Sequence, residues 1–445
     1  MPLNKKYFTL SLLAVVALCV AQIIGSGILV LGCLAAFLVF VGWTCIKNYT
    51  LPILLFFLPW SQLLRQTPTS FSFFTFALVL VCFVSIIKKG FRFKRYHLVS
   101  GVALLILTLV SKLIDGSGLT FDYIAFIMLI MLFPIVKEEW RARRYDFYAV
   151  VTFFSVGIVS AALCAQWFAT SYNIAQFIQV DSYLTITRLS GFYGDPNFYT
   201  AQITAALSGV LLMLLRQRQK GRIINHVVLM LFLVYCGFLS GSKSFVLVAL
   251  ALLVFWTVEV LRQRGRTGVK VALICGVTVF IGFIATSALF SGLLDIIATR
   301  FSSATDASGF TTGRTELWAN YINELFSDAK VIFLGKGFTN VKLDGRASHN
   351  SLLQMVFQLG LVGSIFMISW IKGFFRDAFR SPRAESWSKN TLVILMVGTF
   401  LPWMAIDIMY FDEFFLLQWF VFLGVRELRT RPPQEMNQNR PDLPA

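Results

Sequence analysis

Two arginines and one histidine stand where predicted membrane helices begin, and these side chains can bind and act on a phosphate group. Arg188 opens R-L-S-G-F-Y-G-D-P-N, Arg314 lies in G-R-T-E-L-W, and His349 opens H-N-S-L-L-Q-M-V-F-Q-L-G. Helix N-termini present free backbone N–H groups to an anion, and guanidinium groups bind phosphate through charge-assisted hydrogen bonds. The positive end of a helix also lowers the pKa of a histidine, which is then neutral near pH 7 and able to accept a proton. The pattern therefore predicts an anion site with a base beside it.

Four further polar residues flank the same helix starts and are predicted to bind substrate: Lys243, Asn197, Asn350 and Asp195. Asp195-Pro196 has the pattern of an N-cap followed by proline in the first helical turn. Ser348 is expected to cap a later helix, and Thr312 or Gly313 the helix of the G-R-T-E-L-W segment. These caps predict that the polar residues share one face of the protein.

Both arginines also have purely structural interpretations. Arg188 fits a solvated loop arginine equally well. Arg314 fits a surface helix residue paired with Glu316 or Asp306.

The other polar residues have structural alternatives as well. Lys243 fits a lysine that extends along the membrane interface, and His349 fits a helix cap. Asp195 and Asn197 fit helix starts better than catalytic roles. The sequence leaves these alternatives open.

Composition places the rest of the chain in a membrane. Of its 445 residues, 57% are hydrophobic and 14% charged, with a mean hydropathy of +0.74, whereas soluble domains carry about 25% charged residues. The apolar runs approach the ~20 residues that cross a bilayer and lack the alternation of a membrane β-barrel. We expect an all-α, polytopic integral membrane protein with 12–14 transmembrane helices, and residues 1–426 as a single transmembrane domain.

Fourteen spans are predicted, near 8–24, 26–45, 50–64, 70–87, 97–113, 119–136, 147–169, 196–215, 223–239, 243–261, 269–289, 350–371, 390–409 and 413–426. The 50–64 segment is short, contains Pro52 and Pro59, and could instead be re-entrant. Basic residues cluster in every second connection, which predicts that both termini are cytoplasmic. The net charge of +17 thus reflects topology rather than a nucleic-acid partner. Residues 427–445 are expected to be a disordered cytoplasmic tail.

A large loop, residues 290–348, is predicted on the extracytoplasmic side. Its basic and acidic residues balance, which indicates a folded segment rather than a charged tail. Leu317, Tyr321 and Leu325 share one helical face, which predicts an amphipathic helix lying on the membrane surface.

Several other chemistries have little support in the sequence. The seven cysteines all lie in apolar runs, so neither a disulfide framework nor a metal site is expected. No H-E-x-x-H pattern, Walker loop or dinucleotide fingerprint is present. Charged residues are scarce within the spans, with Asp407 near one outer end, whereas ion-coupled transporters carry buried ionisable groups at mid-membrane.

Four segments together resemble the O-antigen ligase and O-antigen polymerase superfamily, which comprises WaaL-type ligases and Wzy-type polymerases. They are the Arg188 segment, S-G-S-K-S with lysine where the family often has arginine, G-R-T-E-L-W, and H-N-x9-G from His349 to Gly360. The resemblance is strongest over residues 180–371, and residues 1–150 match only as hydrophobic spans.

This resemblance implies a GT-C-like membrane glycosyltransferase in the bacterial cytoplasmic membrane. Such enzymes move glycan from an undecaprenyl diphosphate-linked donor to a glycan acceptor on the extracytoplasmic side, with no cofactor, nucleotide sugar or metal. Flippase and chain-length regulator proteins are further partners that it implies. In the ligases, the residues matching Arg188, Arg314 and His349 are required.

Three functions remain open at this point. Polymerisation of surface polysaccharide repeats is favoured because the chain has no appended soluble domain. Ligation of finished glycan to another acceptor uses the same site. A lipid-linked oligosaccharide flippase would instead need a polar central cavity, whereas the polar residues here gather at one face. His349 is expected to act either as a general base or as a phosphate ligand.

Overall fold

The computed structural model describes most of the chain as helices. The described residues are 3–90, 94–115, 121–141, 146–171, 181–183, 186–188, 190–193, 195–216, 219–262, 313–337, 342–380, 389–409 and 411–429. The predicted span at 269–289, the loop portion 290–312 and the tail from 430 lie outside these residues.

The first part of the chain forms helices that follow the predicted spans. They are α1 (Lys5–Ile24), α2 (Gly27–Ile46), α3 (Thr50–Phe57), α4 (Phe73–Lys89), α5 (Arg95–Asp115), α6 (Phe121–Arg141), α7 (Phe147–Ser171), α8 (Pro196–Arg216), α9 (Lys220–Leu239) and α10 (Lys243–Arg262). The third is shorter than its predicted span, because it ends in a 3-10 turn, Leu58–Trp60, that contains Pro59. Its residues are buried, so it belongs to the core rather than the lipid-facing shell.

The second part of the chain contains two helices of the large loop and three apolar helices. They are α11 (Arg314–Ser327), α12 (Ala329–Leu334), α13 (Ser351–Arg380), α14 (Lys389–Phe400) and α15 (Asp412–Arg429). The last helix continues past residue 427, where the tail was predicted to begin, and α13 extends past its predicted end at 371. The amphipathic helix predicted in the loop is α11.

Seven helices of the described chain are long and apolar enough to cross a membrane: α1, α2, α7, α8, α9, α10 and α13. Large apolar side chains on several of them are exposed, as in Ile28 and Val39 of α2 and Ile365 of α13. Such exposure is typical of a lipid-facing surface. The chain is therefore a helical, polytopic membrane protein.

Helix α8 lies at the centre of this bundle. Almost all of its residues are buried, and it packs against α7, α9, α10, α14 and α15. It also carries buried polar side chains, such as Gln202, which bonds Tyr193 and Glu413 rather than facing lipid. Its N-terminus, which follows Asp195, is thus held by several neighbours at once.

The described chain is all-helical, as expected, apart from one short ribbon. Strands β1 (Asp181–Tyr183) and β2 (Ile186–Arg188) pair antiparallel, with Asp181 opposite Arg188. Strands of three residues are too short to show the alternation that marks a strand in sequence. The pair places Arg188 at the end of a hydrogen-bonded ribbon rather than in an irregular loop.

The polar segments predicted to share one face do so. Residues 188–198, 240–243, 313–351 and 405–413 contact one another through hydrogen bonds, charges and ring contacts, as far as they are described. We call this set the loop face, and we call residues 313–350 of it the lid.

Candidate functional site

Arg188 is buried on the loop face. The residue is 7% exposed, and its Nε donates a hydrogen bond to the backbone oxygen of Ser240 at 3.1 Å. Ser240 lies in the S-G-S-K-S turn between α9 and α10. Because a solvated loop arginine would be exposed, its burial removes that alternative.

A second connection between the Arg188 segment and the S-G-S-K-S turn is made by Asp195, Asn197 and Ser242. Asp195 caps α8 as predicted, since its Oδ1 accepts from the backbone N and the Nδ2 of Asn197, both at 2.8 Å. The Oδ1 of Asn197 accepts from the hydroxyl of Ser242 at 2.8 Å. The amide of Asn197 is thus committed to holding the motifs together, which makes it a structural residue of the site.

Lys243 begins α10, as predicted, directly after Ser242. Gly241 before them has a positive φ of 55°, which turns the chain sharply between the two helices. The lysine therefore starts its helix on the same turn whose Ser240 carbonyl holds Arg188.

Arg314 is the first residue of α11, and Gly313 is the N-cap with a φ of 75°. Of the two caps predicted, Gly313 is the one used. Burial lowers the pKa of Arg314, Asp195 raises it, and Arg188 lowers it. Within the described residues its guanidinium has no hydrogen-bond or ion-pair partner, and so no pair with Glu316 forms; Asp306 lies outside them. A half-buried arginine between a carboxylate and a second arginine is placed to receive an anion.

His349 precedes α13 in an unusual backbone conformation. Its φ is +50°, in the left-handed region that non-glycine residues seldom occupy and that clusters at functional sites. The predicted cap, Ser348, is replaced by Asn350, whose Oδ1 accepts from Leu352 N at 3.1 Å and Leu353 N at 3.2 Å. Ser348 instead exchanges hydrogen bonds with the backbone of Asn350, so His349 is neither cap nor helix.

The imidazole of His349 faces a carboxylate. Its Nδ1 lies 3.9 Å from Oδ2 of Asp195, and both side chains are partly exposed. Burial lowers the pKa of His349, Asp195 raises it, and Arg314 and Lys342 lower it. The direction agrees with the sequence expectation, although burial rather than the helix dipole is the largest cause. A lowered pKa keeps the imidazole unprotonated at pH 7, so that it has a nitrogen free to accept a proton.

Two aromatic residues of α11, Trp318 and Tyr321, hold the loop that carries His349. The Nε1 of Trp318 donates to the oxygen of Ser348 at 2.8 Å. The hydroxyl of Tyr321 donates to the oxygen of Arg346 at 2.7 Å and accepts from Leu343 N at 3.1 Å. The sequence analysis placed Tyr321 only on the apolar face of an amphipathic helix and gave Trp318 no separate role. Their polar tips were the available signal, because a buried tryptophan or tyrosine needs a hydrogen-bond partner.

Gly335 and Gly360 fix the lid against α13. Both have positive φ, and a Cβ on either one would lie within 3.0 Å of the other's backbone nitrogen. Gly360 interrupts the helix, and the carbonyls freed by this break accept from lid amides: Lys336 N donates to Phe357 O at 2.9 Å, and Gly337 N to Gln358 O at 3.1 Å. The glycine that ends H-N-x9-G therefore joins the lid to the helix that begins beside His349.

Asp407 lies in the segment between α14 and α15, close enough to Tyr321 of the lid to raise the pKa of that tyrosine. Asp407 is buried, and burial raises its pKa to about 7 while the backbone of Met409 lowers it. Its Oδ1 has no hydrogen-bond partner in the described structure. Nearby, the hydroxyl of Ser351 bonds Ile406 O and Ile408 N, which ties this segment to the start of α13.

These contacts bring Arg188, Arg314, Asp195 and His349 together, with Lys243 on an adjoining turn. The charged and titratable groups that the described residues bring together here are the cations Arg188, Arg314 and Lys342, the imidazole of His349 and the carboxylate of Asp195. In the described chain, no group of three or more His, Cys, Asp and Glu residues has a geometry that could hold a metal ion. The site can therefore bind an anion through arginines and exchange a proton through His349.

Comparisons with known proteins leave the chain without an assigned family. No protein-family model matches it, and no curated protein gives a significant match.

Proposed function

We propose that this protein is a membrane glycosyltransferase that transfers glycan from undecaprenyl diphosphate to a sugar hydroxyl. The observation that carries the proposal is the meeting of Arg188, Arg314 and His349 on the loop face of an apolar helical bundle. The arginines suit the anionic headgroup of such a substrate, and the apolar helices suit its long hydrocarbon chain.

In this proposal, Arg188 and Arg314 bind the diphosphate. Arg188 is immobilised by Ser240, whereas Arg314 has no hydrogen-bond or ion-pair partner among the described residues. The N-termini of α10 and α11, with Lys243 at the first of them, supply further positive potential. As the bond to the sugar breaks, charge grows on the departing diphosphate, and preorganised cations stabilise that charge most strongly.

His349 acts as the general base in this reaction. Its neutral imidazole takes the proton of the acceptor hydroxyl while the hydroxyl oxygen forms a bond to the anomeric carbon. The bond from that carbon to the diphosphate oxygen breaks, and the electron pair leaves with undecaprenyl diphosphate. The lowered pKa of His349 suits it to accept the proton near neutral pH.

The loop face is the extracytoplasmic side of a bacterial cytoplasmic membrane in this proposal, with both termini cytoplasmic and a GT-C-like fold. We favour polymerisation of lipid-linked repeat units over ligation. The four motif segments support glycan transfer in general, because they resemble O-antigen polymerases and ligases alike. The lid holds the donor's glycan and polyprenyl chain beside the arginines.

The test is the length of the product. Purified protein in lipid vesicles would receive an undecaprenyl diphosphate-linked repeat unit with a metal chelator present, and the glycans would be separated on a gel. A ladder of repeats is expected from the wild type and none from Arg314→Ala. Arg346→Ala is the matched control. Arg346 is an exposed arginine of the same lid, and its contact with the Tyr321 hydroxyl is made by its backbone oxygen, which alanine keeps.

Each other outcome rejects part of the proposal. Product that forms only after a second type of acceptor is added would identify a ligase. No turnover with any acceptor would reject glycosyl transfer and favour transport. A normal ladder from Arg314→Ala would reject the assignment of this site.

A further inference from the structure

We propose that Asp195 is a positioning residue that holds the imidazole of His349 with its proton on Nδ1, so that Nε2 faces the acceptor hydroxyl. The role of the acceptor rests on the proposed function. The Asp195–His349 pair itself can be tested without any glycan.

The two oxygens of Asp195 have separate partners. Oδ1 accepts both hydrogen bonds from Asn197, at 2.8 Å each, and thereby fixes the rotation of the carboxylate. Oδ2 is the oxygen that faces His349 Nδ1, at 3.9 Å. Because the cap uses Oδ1 alone, it also sets the position of Oδ2 beside the imidazole of His349.

The distance is longer than a hydrogen bond, which places the pair in an open arrangement. Catalytic hydrogen bonds are often long without substrate and shorten in the complex. The backbone of His349 is held on both sides, by Trp318 through Ser348 and by the cap of α13 at Asn350. Closure of the gap therefore needs a small movement of one side chain rather than a rearrangement of the loop.

Charge gives Asp195 a second effect on His349. The charged groups acting on the imidazole are Asp195 from the start of α8, Arg314 from α11 and Lys342 from the lid, and Arg188 acts on Arg314. Proton transfer to His349 creates a cation beside Arg314 and Lys342. Asp195 offsets that repulsion, and it favours the Nδ1–H tautomer because a carboxylate attracts the N–H that points at it.

Asp195→Asn separates this role from helix capping. Asparagine caps helices about as well as aspartate does, so α8 should keep its start while the charge at Oδ2 is lost. Asp328→Asn is the matched control, since Asp328 caps α12 by accepting from Lys330 N and is exposed. A merely structural role predicts that the two variants behave alike.

The experiment is a pH titration of ¹⁵N-histidine-labelled full-length protein in nanodiscs by NMR. The chain has three histidines, and His349→Gln identifies the resonance of His349 by its loss. In Asp195→Asn the pKa of His349 should fall by about 0.7 or more, which is the Coulomb interaction of two charges about 4 Å apart in water. The shift pattern should also lose its preference for Nδ1–H, while Asp328→Asn changes neither.

An unchanged pKa and tautomer in Asp195→Asn would overturn the inference. In the vesicle assay, the same variant should lower kcat roughly tenfold without raising KM for the donor, and the acidic limb of kcat/KM should move to lower pH. A normal kcat would also overturn it. A wild type with no transfer activity but with the expected NMR shift would reject the proposed function and leave the pair intact.

Discussion

The Nδ1 of His349 lies 3.9 Å from the Oδ2 of Asp195, so the residue that precedes the cap of α13 faces the cap of α8. Helix α8 is the buried centre of the bundle, and α13 carries the lid on its broken first half. The pair thus joins the most constrained helix to the segment that holds Arg314. Any displacement of the lid relative to the bundle changes this distance directly.

Trp318→Phe should release the loop that carries His349. The substitution keeps an aromatic ring on α11 but removes the 2.8 Å hydrogen bond from Nε1 to Ser348 O. We expect kcat for glycan transfer to fall about tenfold, because a displacement of about 1 Å in a reacting group costs up to a hundredfold. KM for the donor should stay near its wild-type value, since Arg188 and Arg314 are untouched. Steady-state kinetics in vesicles measures both constants.

Phe326→Leu provides the comparison for this prediction. Phe326 is also an aromatic residue of α11 but is 68% exposed, on the side away from Tyr321 and Leu325. It should change neither constant. A Trp318→Phe enzyme with wild-type kcat would show that the Ser348 contact does not position His349.

Much of the helical framework could be predicted from the sequence because lipid imposes a simple rule. A run of apolar residues about as long as the bilayer is thick must be helical, since it has to satisfy its own backbone. The Asp195-Pro196 helix start, the Gly313 cap and the α11 stripe through Tyr321 and Leu325 were likewise readable, because capping and periodicity are local.

The parts that could not be predicted depend on contacts distant in sequence. The burial of Arg188 depends on Ser240, and the break in α13 depends on amides of Lys336 and Gly337. A glycine inside an apolar run does not reveal that another backbone approaches it. The choice of Asn350 over Ser348 as cap was also hidden, because the two residues have similar capping preferences.

Asp407 should make stability depend on pH. Its folded-state pKa is about 7, against 3.8 for an ordinary aspartate. Between these values the folded protein binds more protons than the unfolded chain, so stability falls as pH rises. Asp407→Asn removes this pH-dependent contribution. The free energy of unfolding of the variant, minus that of the wild type, should therefore rise by about 2 kcal/mol or more between pH 5 and pH 8.

Thermal unfolding in nanodiscs at the two pH values measures this difference. Any constant effect of burying an amide shifts both values equally and cancels. Ile406→Val, a buried neighbour that does not titrate, should shift the unfolding midpoint by the same amount at both pH values. A pH-independent effect of Asp407→Asn would show that the carboxyl titrates normally in the folded protein.

Gly335→Ala should cost far more stability than Gly345→Ala. Both lid glycines have positive φ, 75° and 76°, so alanine is strained at either position. Gly335 also has a ψ of 179°, a region almost confined to glycine. Their surroundings differ as well: a Cβ at Gly345 meets nothing within 4 Å, whereas at Gly335 it would overlap the backbone of Gln358 and Gly360. The difference between their unfolding midpoints therefore reports the backbone crossing together with the stricter conformation that it imposes on Gly335.

Gly360→Ala should resemble Gly335→Ala, because its Cβ would overlap Phe333 O and Gly335 N across the same crossing. Once one substitution has separated the lid from α13, the second has little left to disrupt. The double variant should therefore lose less stability than the sum of the single losses, as expected for residues in direct contact. Additive losses, or a Gly335→Ala midpoint equal to that of Gly345→Ala, would show that the lid is not held by this crossing. Glycan transfer should fall in parallel with the separation, since the same crossing sets the position of Arg314 relative to His349.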